Sequence, residues 1–131
     1  MMGQACRTEA TVDYKLYGVR IFVRDWERAL AFYSETLGMP VAFAGPEAGW
    51  AELDTGTAHL ALERVDPRDA EATDLTGRFV AVSLQVEDIQ ATYEELVARG
   101  VEFLGPPEEQ SWGGFLAHLR DPEGNVLTLL G

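Results

Sequence analysis

Three polar side chains interrupt two short apolar segments and are the first candidates for chemistry. Arg20 lies in the segment 19–23, and His59 and Glu63 lie in the segment 58–64. An imidazole titrates near neutral pH and can transfer a proton, a carboxylate can act as a base or bind a cation, and a guanidinium binds carboxylate or phosphate. Each side chain also has a structural interpretation: a hydrogen-bonded histidine in a sheet, a solvated glutamate, or an arginine that neutralises nearby acidic groups. The residue types alone leave both interpretations open.

The spacing of the potential metal ligands argues against a site built from them. His59 and Glu63 share a face of one predicted strand, but at roughly 3.3 Å per residue their Cα atoms are about 13 Å apart. The other histidine, His118, lies in a different apolar segment. The single cysteine, Cys6, excludes an intrachain disulfide framework and a cysteine-rich zinc site. No Ser-His-Asp order or phosphate-binding glycine loop stands out.

Two tryptophans are candidates for stacking on a planar ligand. Trp50 and Trp112 occupy equivalent loops of the chain, and the glycines 113 and 114 give the second loop freedom to move over a ligand. An indole ring offers a face on which a planar molecule can stack, and Phe22 extends the aromatic set. Ordinary packing or a contact with a second subunit explains the two indole rings equally well.

The elements that must position these residues occur twice along the chain. The alternating segment 19–23 leads to Asp25, and a second alternating segment, 82–86, leads to Asp88, 63 residues further on. Alternation of apolar and polar residues predicts half-buried strands, and each aspartate predicts a helix N-cap. Apolar residues at helical spacing follow, so the first helix is predicted over residues 26–37.

Each predicted helix ends at a glycine, Gly38 or Gly100, and three strand-like segments follow it. The turns between the last two segments, residues 54–57 and 121–125, contain the Asp, Gly, Pro and Asn that tight turns require. The order β-α-β-β-β, written twice, predicts an α+β fold. We predict a mobile N-terminal arm over residues 1–13 and a single domain over 14–131, with module 1 at 17–64, an acidic linker at 65–79 and module 2 at 80–131.

Composition limits the class of partner. The chain has 131 residues, which fits one domain, and 22 acidic against 10 basic residues give a net charge of −12. Because nucleic acids and anionic membranes attract basic surfaces, neither is expected as a partner, whereas a cationic small molecule is compatible with this charge. No apolar run reaches the roughly 20 residues that span a bilayer, and the N-terminus lacks a signal-peptide core, so we expect a cytoplasmic protein.

Two segments carry a family resemblance. Residues 23–38 read VRDWERALAFYSETLG, a strand end followed by an aspartate, a helix, Phe-Tyr and Leu-Gly, and residues 120–126 read RDPEGNV. Both resemble the signature of the vicinal oxygen chelate superfamily, which includes glyoxalase I, bleomycin-resistance proteins and extradiol dioxygenases. The resemblance implies two tandem βαβββ modules that form a curved mixed sheet around a cleft, with the helices outside. It also implies a homodimer, in some relatives with modules exchanged between chains.

The resemblance also implies where a metal would be bound. Metal-using relatives place ligands early in the first strand and in the closing strand of each module, which carries over to Gly18, Ala61, Ala81 and Thr128. Glycine and alanine have no ligand atom, and a neutral threonine hydroxyl is a poor ligand beside imidazole or carboxylate. We therefore expect neither a metal nor another cofactor.

Three kinds of function remain open. The first is binding of a small organic molecule in an aromatic-walled cleft, as in the drug-sequestering, antibiotic-resistance branch that the resemblance includes. The second is a metal-dependent lyase, isomerase or dioxygenase, in which the ion acts as a Lewis acid. The third is a dimeric structural or regulatory protein with an empty cleft. No catalytic residue is predicted. The residues expected to line the cleft are Arg20, Phe22, Trp50, His59, Glu63, Ser83, Gln85, Trp112 and Thr128.

Overall fold

Residues 12–131 are the part of the chain that the computed structural model describes, and they contain two β-α-β-β-β units, of which the second has one additional short strand. The first unit comprises β1 (Gly18–Val23), α1 (Trp26–Ala31), β2 (Val41–Gly45), β3 (Trp50–Leu53) and β4 (His59–Arg64). The connector contains α2 (Glu71–Leu75). The second unit comprises β5 (Phe79–Gln85), α3 (Ile89–Ala98), β6 (Glu102–Phe103), β7 (Glu108–Glu109), β8 (Phe115–Arg120) and β9 (Val126–Leu130). Of the predicted N-terminal arm, only residues 12 and 13 belong to the described part, and Cys6 lies outside it.

Each unit forms its own mixed sheet, which confirms the predicted α+β fold. The strand orders are β1-β4-β3-β2 and β5-β9-β8-β6, and β7 adds a short pairing to β8. In both sheets the first strand lies parallel to the last, and the other pairs are antiparallel. The two sheets correspond to the two predicted βαβββ modules. None of the helices within residues 12–131 is long and apolar enough to cross a bilayer.

The predicted helix boundaries are confirmed by their capping geometry. The carboxylates of Asp25 and Asp88 each accept a hydrogen bond from the backbone amide three residues ahead, at 3.1 and 3.0 Å. These bonds satisfy amides that have no partner inside the helix. Gly38 and Gly100 follow the two helices with φ angles of 80° and 90°, a left-handed conformation that glycine adopts without a Cβ penalty.

The first helix differs from the prediction in its second half. After α1 the chain continues as a π-helical turn over Phe32–Thr36, in which the Leu37 amide bonds to the carbonyl of Phe32, five residues back, at 2.9 Å. The hydroxyl of Ser34 donates to the carbonyl of Leu30 at 2.7 Å and competes with the regular helical bonding. Apolar spacing alone does not distinguish this widened turn from an α-helix. The turn carries Tyr33, which is fully buried.

One hydrophobic cluster joins the two units. Its members are the buried residues of both sheets and helices, including Ile21 and Leu62 from the first unit and Leu119 and Leu127 from the second. Successive side chains of a strand point to opposite faces. Because the inner faces of both sheets belong to the same cluster, their polar faces lie on the sides away from it.

A buried polar group also ties the units together. Asn125, in the turn between β8 and β9, is fully buried, and its amide nitrogen donates to the carbonyl of Phe22 in β1 and to a carboxylate oxygen of Asp121, both at 3.1 Å. The amide oxygen accepts from the backbone amides of Gly77 and Arg78 at 2.8 and 3.2 Å. All four hydrogen-bonding positions of the Asn125 side chain are therefore used.

Tyr33 extends this network into the first unit. Its hydroxyl donates to the carboxylate of Asp121 at 2.8 Å, and Asp121 is only 5% exposed. Burial raises the pKa of Asp121, although the donors around the carboxylate favour its ionised form. Burial, followed by the negative charge of Asp121, raises the pKa of Tyr33 well above its usual value. The hydroxyl therefore stays protonated and available as a donor.

We expect Tyr33→Phe to destabilise the protein. The substitution removes the donor and leaves the buried Asp121 carboxylate with one hydrogen bond fewer, which should cost about 1–3 kcal/mol of unfolding free energy. Chemical denaturation measures this loss. Tyr93→Phe is the matched control, because the Tyr93 ring packs on Phe103 and its hydroxyl makes no hydrogen bond within residues 12–131. Equal stabilities of the two variants would show that the Asp121 contact contributes nothing.

Candidate functional site

The polar face of the first sheet has a small residue at its centre. In the strand register, Ala61 of β4 lies opposite Arg20 of β1 on one side and Glu52 of β3 on the other. Ala61 is only 2% exposed because the longer neighbouring side chains surround it. Its methyl group therefore lies between the longer side chains of Arg20 and Glu52 in the register.

Four of the predicted site residues lie together on this face. Arg20 donates to Glu63 at 2.9 Å, and its guanidinium carbon lies 5.4 Å from the centre of the Phe22 ring. In the register Glu63 lies opposite both Phe22 and Trp50. The charge of Glu63 is therefore paired within the protein. Of the two interpretations of Arg20, the structure shows the one in which it neutralises an acidic neighbour.

The same face contains a carboxylate that the sequence analysis missed. Glu52 accepts a hydrogen bond from the indole nitrogen of Trp50 at 2.8 Å and from the hydroxyl of Tyr17, which lies 2.8 Å from each carboxylate oxygen. These donors, with Trp50 contributing most, lower the pKa of Glu52. Strand alternation could have placed Trp50 and Glu52 on one face, since they are two residues apart. Nothing in the local sequence indicates that Tyr17, 35 residues away, closes the group.

His59 does not meet Glu63. The imidazole ring lies 5.3 Å from the ring of Tyr17, centre to centre, and the His59 backbone amide donates to the Tyr17 carbonyl at 3.0 Å. Glu63 lies further along β4, bound to Arg20. The two residues therefore occupy separate parts of the face and do not form an acid–base pair.

The second sheet repeats the arrangement without a carboxylate. Thr128 of β9 lies opposite Ser83 of β5 and His118 of β8, as Ala61 lies between Arg20 and Glu52 in the first sheet. The His118 Nδ1 and the Thr128 hydroxyl are 2.9 Å apart, and Thr128 is 4% exposed. The Phe79 ring packs edge-on against His118 at 5.8 Å. This face therefore has hydrogen-bonding groups and no carboxylate at the matching position.

The residues at the four positions inferred from metal-using relatives do not fit a metal ion. The side chains of Gly18, Ala61 and Ala81 have no ligand atom, and the Thr128 hydroxyl is hydrogen-bonded to His118. Within residues 12–131 no three His, Cys, Asp or Glu side chains come together in a group that could hold a metal ion. The residues at these four positions therefore do not form a metal-binding centre.

The strand β5 is irregular at one of these positions. Ala81 has a φ angle of 58°, a left-handed conformation that costs a non-glycine residue energy, and the pairing of β5 with β9 shifts between Phe79 and Ser83. The bulge leaves Ala81, Ser83 and Gln85 exposed on one side of the strand. Strained backbone of this kind concentrates at functional sites, and here it borders a cavity.

The cavity has a volume of about 670 Å³ and lies between the two units. The first unit contributes the turn before β4 and the beginning of that strand, including His59, and the second unit contributes most of β5, including Ser83 and Gln85. Three predicted site residues thus meet in one cavity. Arg20, Phe22, Trp50 and Glu63 lie on the polar face of the first sheet, and Thr128 lies on that of the second.

The cavity has an identifiable origin in the repeat. Residues 54–62 match residues 121–129 in position, so that Ala58 occupies the place of Asn125, and Gln85 occupies the place of Phe22. Where Asn125 bonds to the backbone of β1, Ala58 has no polar group with which to bond β5. Ala58 and Gln85 both line the cavity. The Asn125 side chain therefore fills one contact between the units, whereas the corresponding contact between Ala58 and β5 is left unfilled and forms part of the cavity.

Trp112 lies apart from both faces on the loop between β7 and β8. Its side chain is 62% exposed, and its indole ring covers Gly114, where an added Cβ would collide with the ring. The loop is closed by a hydrogen bond from the Gln110 amide to the Gly114 carbonyl at 2.8 Å. Trp112 is therefore held against its own loop and presents its other face to solvent.

Comparison with known proteins assigns the family. The profile of the Glyoxalase/Bleomycin resistance protein/Dioxygenase superfamily matches residues 15–129. The chain belongs to this superfamily. The match extends over both β-α-β-β-β units, and the fold of the superfamily agrees with the two sheets described above.

Relatives within the superfamily include proteins named for antibiotics. The bleomycin resistance protein of Klebsiella pneumoniae is 30% identical, over 82% of this chain and 84% of its own. A solved superfamily member from Sphaerobacter thermophilus DSM 20745 is 30% identical with a TM-score of 0.75, covering 91% of this chain and 97% of its own. TnmS3, described as an antibiotic binding protein from Streptomyces sp. CB03234, is 30% identical with a TM-score of 0.71, covering 92% and 97%.

We expect Gly114→Ala to displace the indole of Trp112. Gly114 has no positive φ angle, so the new methyl group acts through its collision with the ring and not through the backbone. The indole NH resonance of Trp112 in a ¹⁵N-correlated NMR spectrum should move, with Trp112→Phe identifying the peak. Gly105→Ala is the control, because nothing lies within 4 Å of its added Cβ. If the Trp112 resonance stays in place in Gly114→Ala, the indole does not rest on this glycine.

Proposed function

We propose that this superfamily member binds a small organic molecule in the cavity between its two units, as a drug-sequestering protein that uses no metal. The observation that carries the proposal is the open contact at Ala58. The side chain of Asn125 fills the matching contact in the repeat. At Ala58 a cavity of about 670 Å³ lies between the two units instead. Sites for small molecules usually have volumes of about 300–1,000 Å³.

The lining of the cavity suits an organic ligand with a few polar groups. Val82 and Leu84 contribute apolar surface, and Ser83 and Gln85 contribute a hydroxyl and an amide that can orient the ligand. His59 belongs both to the cavity and to the polar face of the first sheet. A ligand larger than the cavity would therefore extend from His59 over that face toward Trp50, and this path includes most of the residues predicted from the sequence.

The superfamily relatives support this type of function. One relative is named for resistance to bleomycin and another for antibiotic binding, and each is 30% identical to this chain over most of its length. Together with the unsuitable metal positions, these names favour binding over metal-dependent catalysis. We also propose that the protein is a homodimer, which light scattering would report as a particle of about twice the 14.4 kDa chain mass.

The binding test uses isothermal titration calorimetry with two cationic compounds, the antibiotic bleomycin in its metal-free form and the dye ethidium. We expect at least one of them to bind, and we expect Ser83→Phe to weaken that binding about tenfold or more because the ring fills the cavity. Ser111→Phe, on the exposed loop before Trp112, introduces the same ring outside the cavity and should leave the affinity unchanged. Equal affinities of the two variants would place the ligand elsewhere.

Metal analysis of the same preparation separates the two classes of function. We expect protein purified without chelator to contain less than a stoichiometric amount of zinc, nickel, manganese or iron, and we expect antibiotic binding to be unaffected by chelator treatment. A stoichiometric metal whose removal abolishes binding or an activity would contradict the proposal and favour a metal-dependent lyase, isomerase or dioxygenase.

A further inference from the structure

The polar face of the first sheet contains two carboxylates with different electrostatic surroundings. Glu63 is neutralised by Arg20 at 2.9 Å. Glu52, in contrast, receives its hydrogen bonds from two neutral donors, the indole of Trp50 and the hydroxyl of Tyr17. Within residues 12–131, no lysine or arginine nitrogen lies within 4.0 Å of Glu52. The negative charge of Glu52 is therefore fixed in position by neutral donors and forms no ion pair within residues 12–131, although the nearby His59 also helps to lower the pKa of Glu52.

Three aromatic residues are neighbours of Glu52 in this sheet face. Trp50 and Tyr17 reach Glu52 through their polar atoms, so that their rings lie beside the carboxylate. Phe43, in the neighbouring strand β2, lies opposite Glu52 in the register. Its ring leans over Gly45, where an added Cβ would lie 3.1 Å from the ring. Gly45 is the register partner of Trp50, which brings the Phe43 and Trp50 side chains side by side.

These rings are accessible to a ligand. Phe43 is 54% exposed and Tyr17 is 64% exposed, although both are large aromatic residues. The electron-rich faces of exposed aromatic rings attract cations. A cation that sheds part of its hydration gains both the attraction of the carboxylate and contact with these rings, whereas a neutral molecule gains only the apolar contact.

We propose that Glu52, together with the rings of Tyr17, Trp50 and Phe43, forms a binding site for an alkylammonium group. This inference rests on the proposed function, because it assigns the cationic end of the sequestered molecule to this site. The Tyr17 ring also contacts His59, which lines the cavity, so the ammonium site and the cavity are adjacent. A molecule with an apolar body and an ammonium group could therefore occupy the cavity with its body and bind Glu52 with its ammonium group.

Choline and its uncharged isostere 3,3-dimethyl-1-butanol are the probes that test this site. They differ essentially only in the charge on the quaternary centre. The indole NH of Trp50 donates directly to Glu52, so its NMR resonance reports on the site. We expect choline to shift this resonance with a dissociation constant on the order of 10 mM or tighter, and the isostere to bind more weakly or not at all.

Two variants and one control make the test specific. Glu52→Gln should weaken choline binding about threefold or more, because it removes the charge and keeps the shape. Phe43→Leu should weaken choline binding while leaving the response to the isostere unchanged, because it removes a ring and keeps an apolar side chain. Glu47→Gln makes the same change in net charge on the exposed turn between β2 and β3 and should leave choline binding unchanged.

Several results would overturn the inference. They are the absence of a Trp50 shift up to about 100 mM choline, equal shifts with choline and its isostere, and equal choline affinities of Glu52→Gln and Glu47→Gln. The failure of the proposed function is a separate result. If choline binds through Glu52 but neither bleomycin nor ethidium binds the protein, the ammonium site stands and the sequestering function fails. If an antibiotic binds with the same affinity to Glu52→Gln, only the ammonium site fails.

Discussion

The side chain of Asn125 is the constraint on which the geometry of this protein depends. It is fully buried and uses all four of its hydrogen-bonding positions, and through Phe22 it fixes the free edge of β1 against the turn of the second unit. Each such bond contributes only about 1 kcal/mol net, but a lost partner inside the protein leaves a buried polar atom unsatisfied, which costs more. The network, extended by Asp121 to Tyr33, therefore specifies one arrangement of the two units, which the shared apolar cluster alone does not.

The candidate site follows from the places where the two units differ. The repeat supplies two equivalent contacts between a turn and a strand edge, and replacing the asparagine by Ala58 opens one of them into a cavity. The repeat also supplies two equivalent polar faces. In the first, Arg20 and Glu52 border Ala61, and in the second, residues without a carboxylate border Thr128, whose hydroxyl already has a hydrogen-bond partner. The two units therefore share one scaffold, and the residues at which they differ determine where the cavity and the carboxylate of Glu52 lie.

The fold of this protein can be predicted from its sequence more completely than the candidate site can. Apolar alternation, the aspartates 25 and 88 and the glycines that follow the helices are local signals, and each predicts an element that the structure has. The π-helical turn and the bulge at Ala81 leave the apolar pattern unchanged, so the pattern cannot reveal them. The contact of Tyr17 with Glu52 joins residues 35 positions apart and depends on the strand register. The predicted site residues are divided among a cavity, two sheet faces and the loop of Trp112 for the same reason. Alternation predicts which face of a strand a residue occupies, but not how far apart two faces lie.

The acidity of the chain and the charge of Glu52 act on a ligand at different distances. A net charge of −12 attracts cations from solution, but at physiological salt the field of exposed charges is screened beyond about 8 Å, so this attraction affects the rate of encounter more than the orientation of the bound ligand. Orientation requires a charge in a fixed position with no competing cation. Glu63 is paired with the cation of Arg20, whereas neutral donors hold Glu52 in place and Glu52 forms no ion pair within the described residues. A basic molecule would therefore be attracted by the whole surface, but its ammonium group would be held at Glu52.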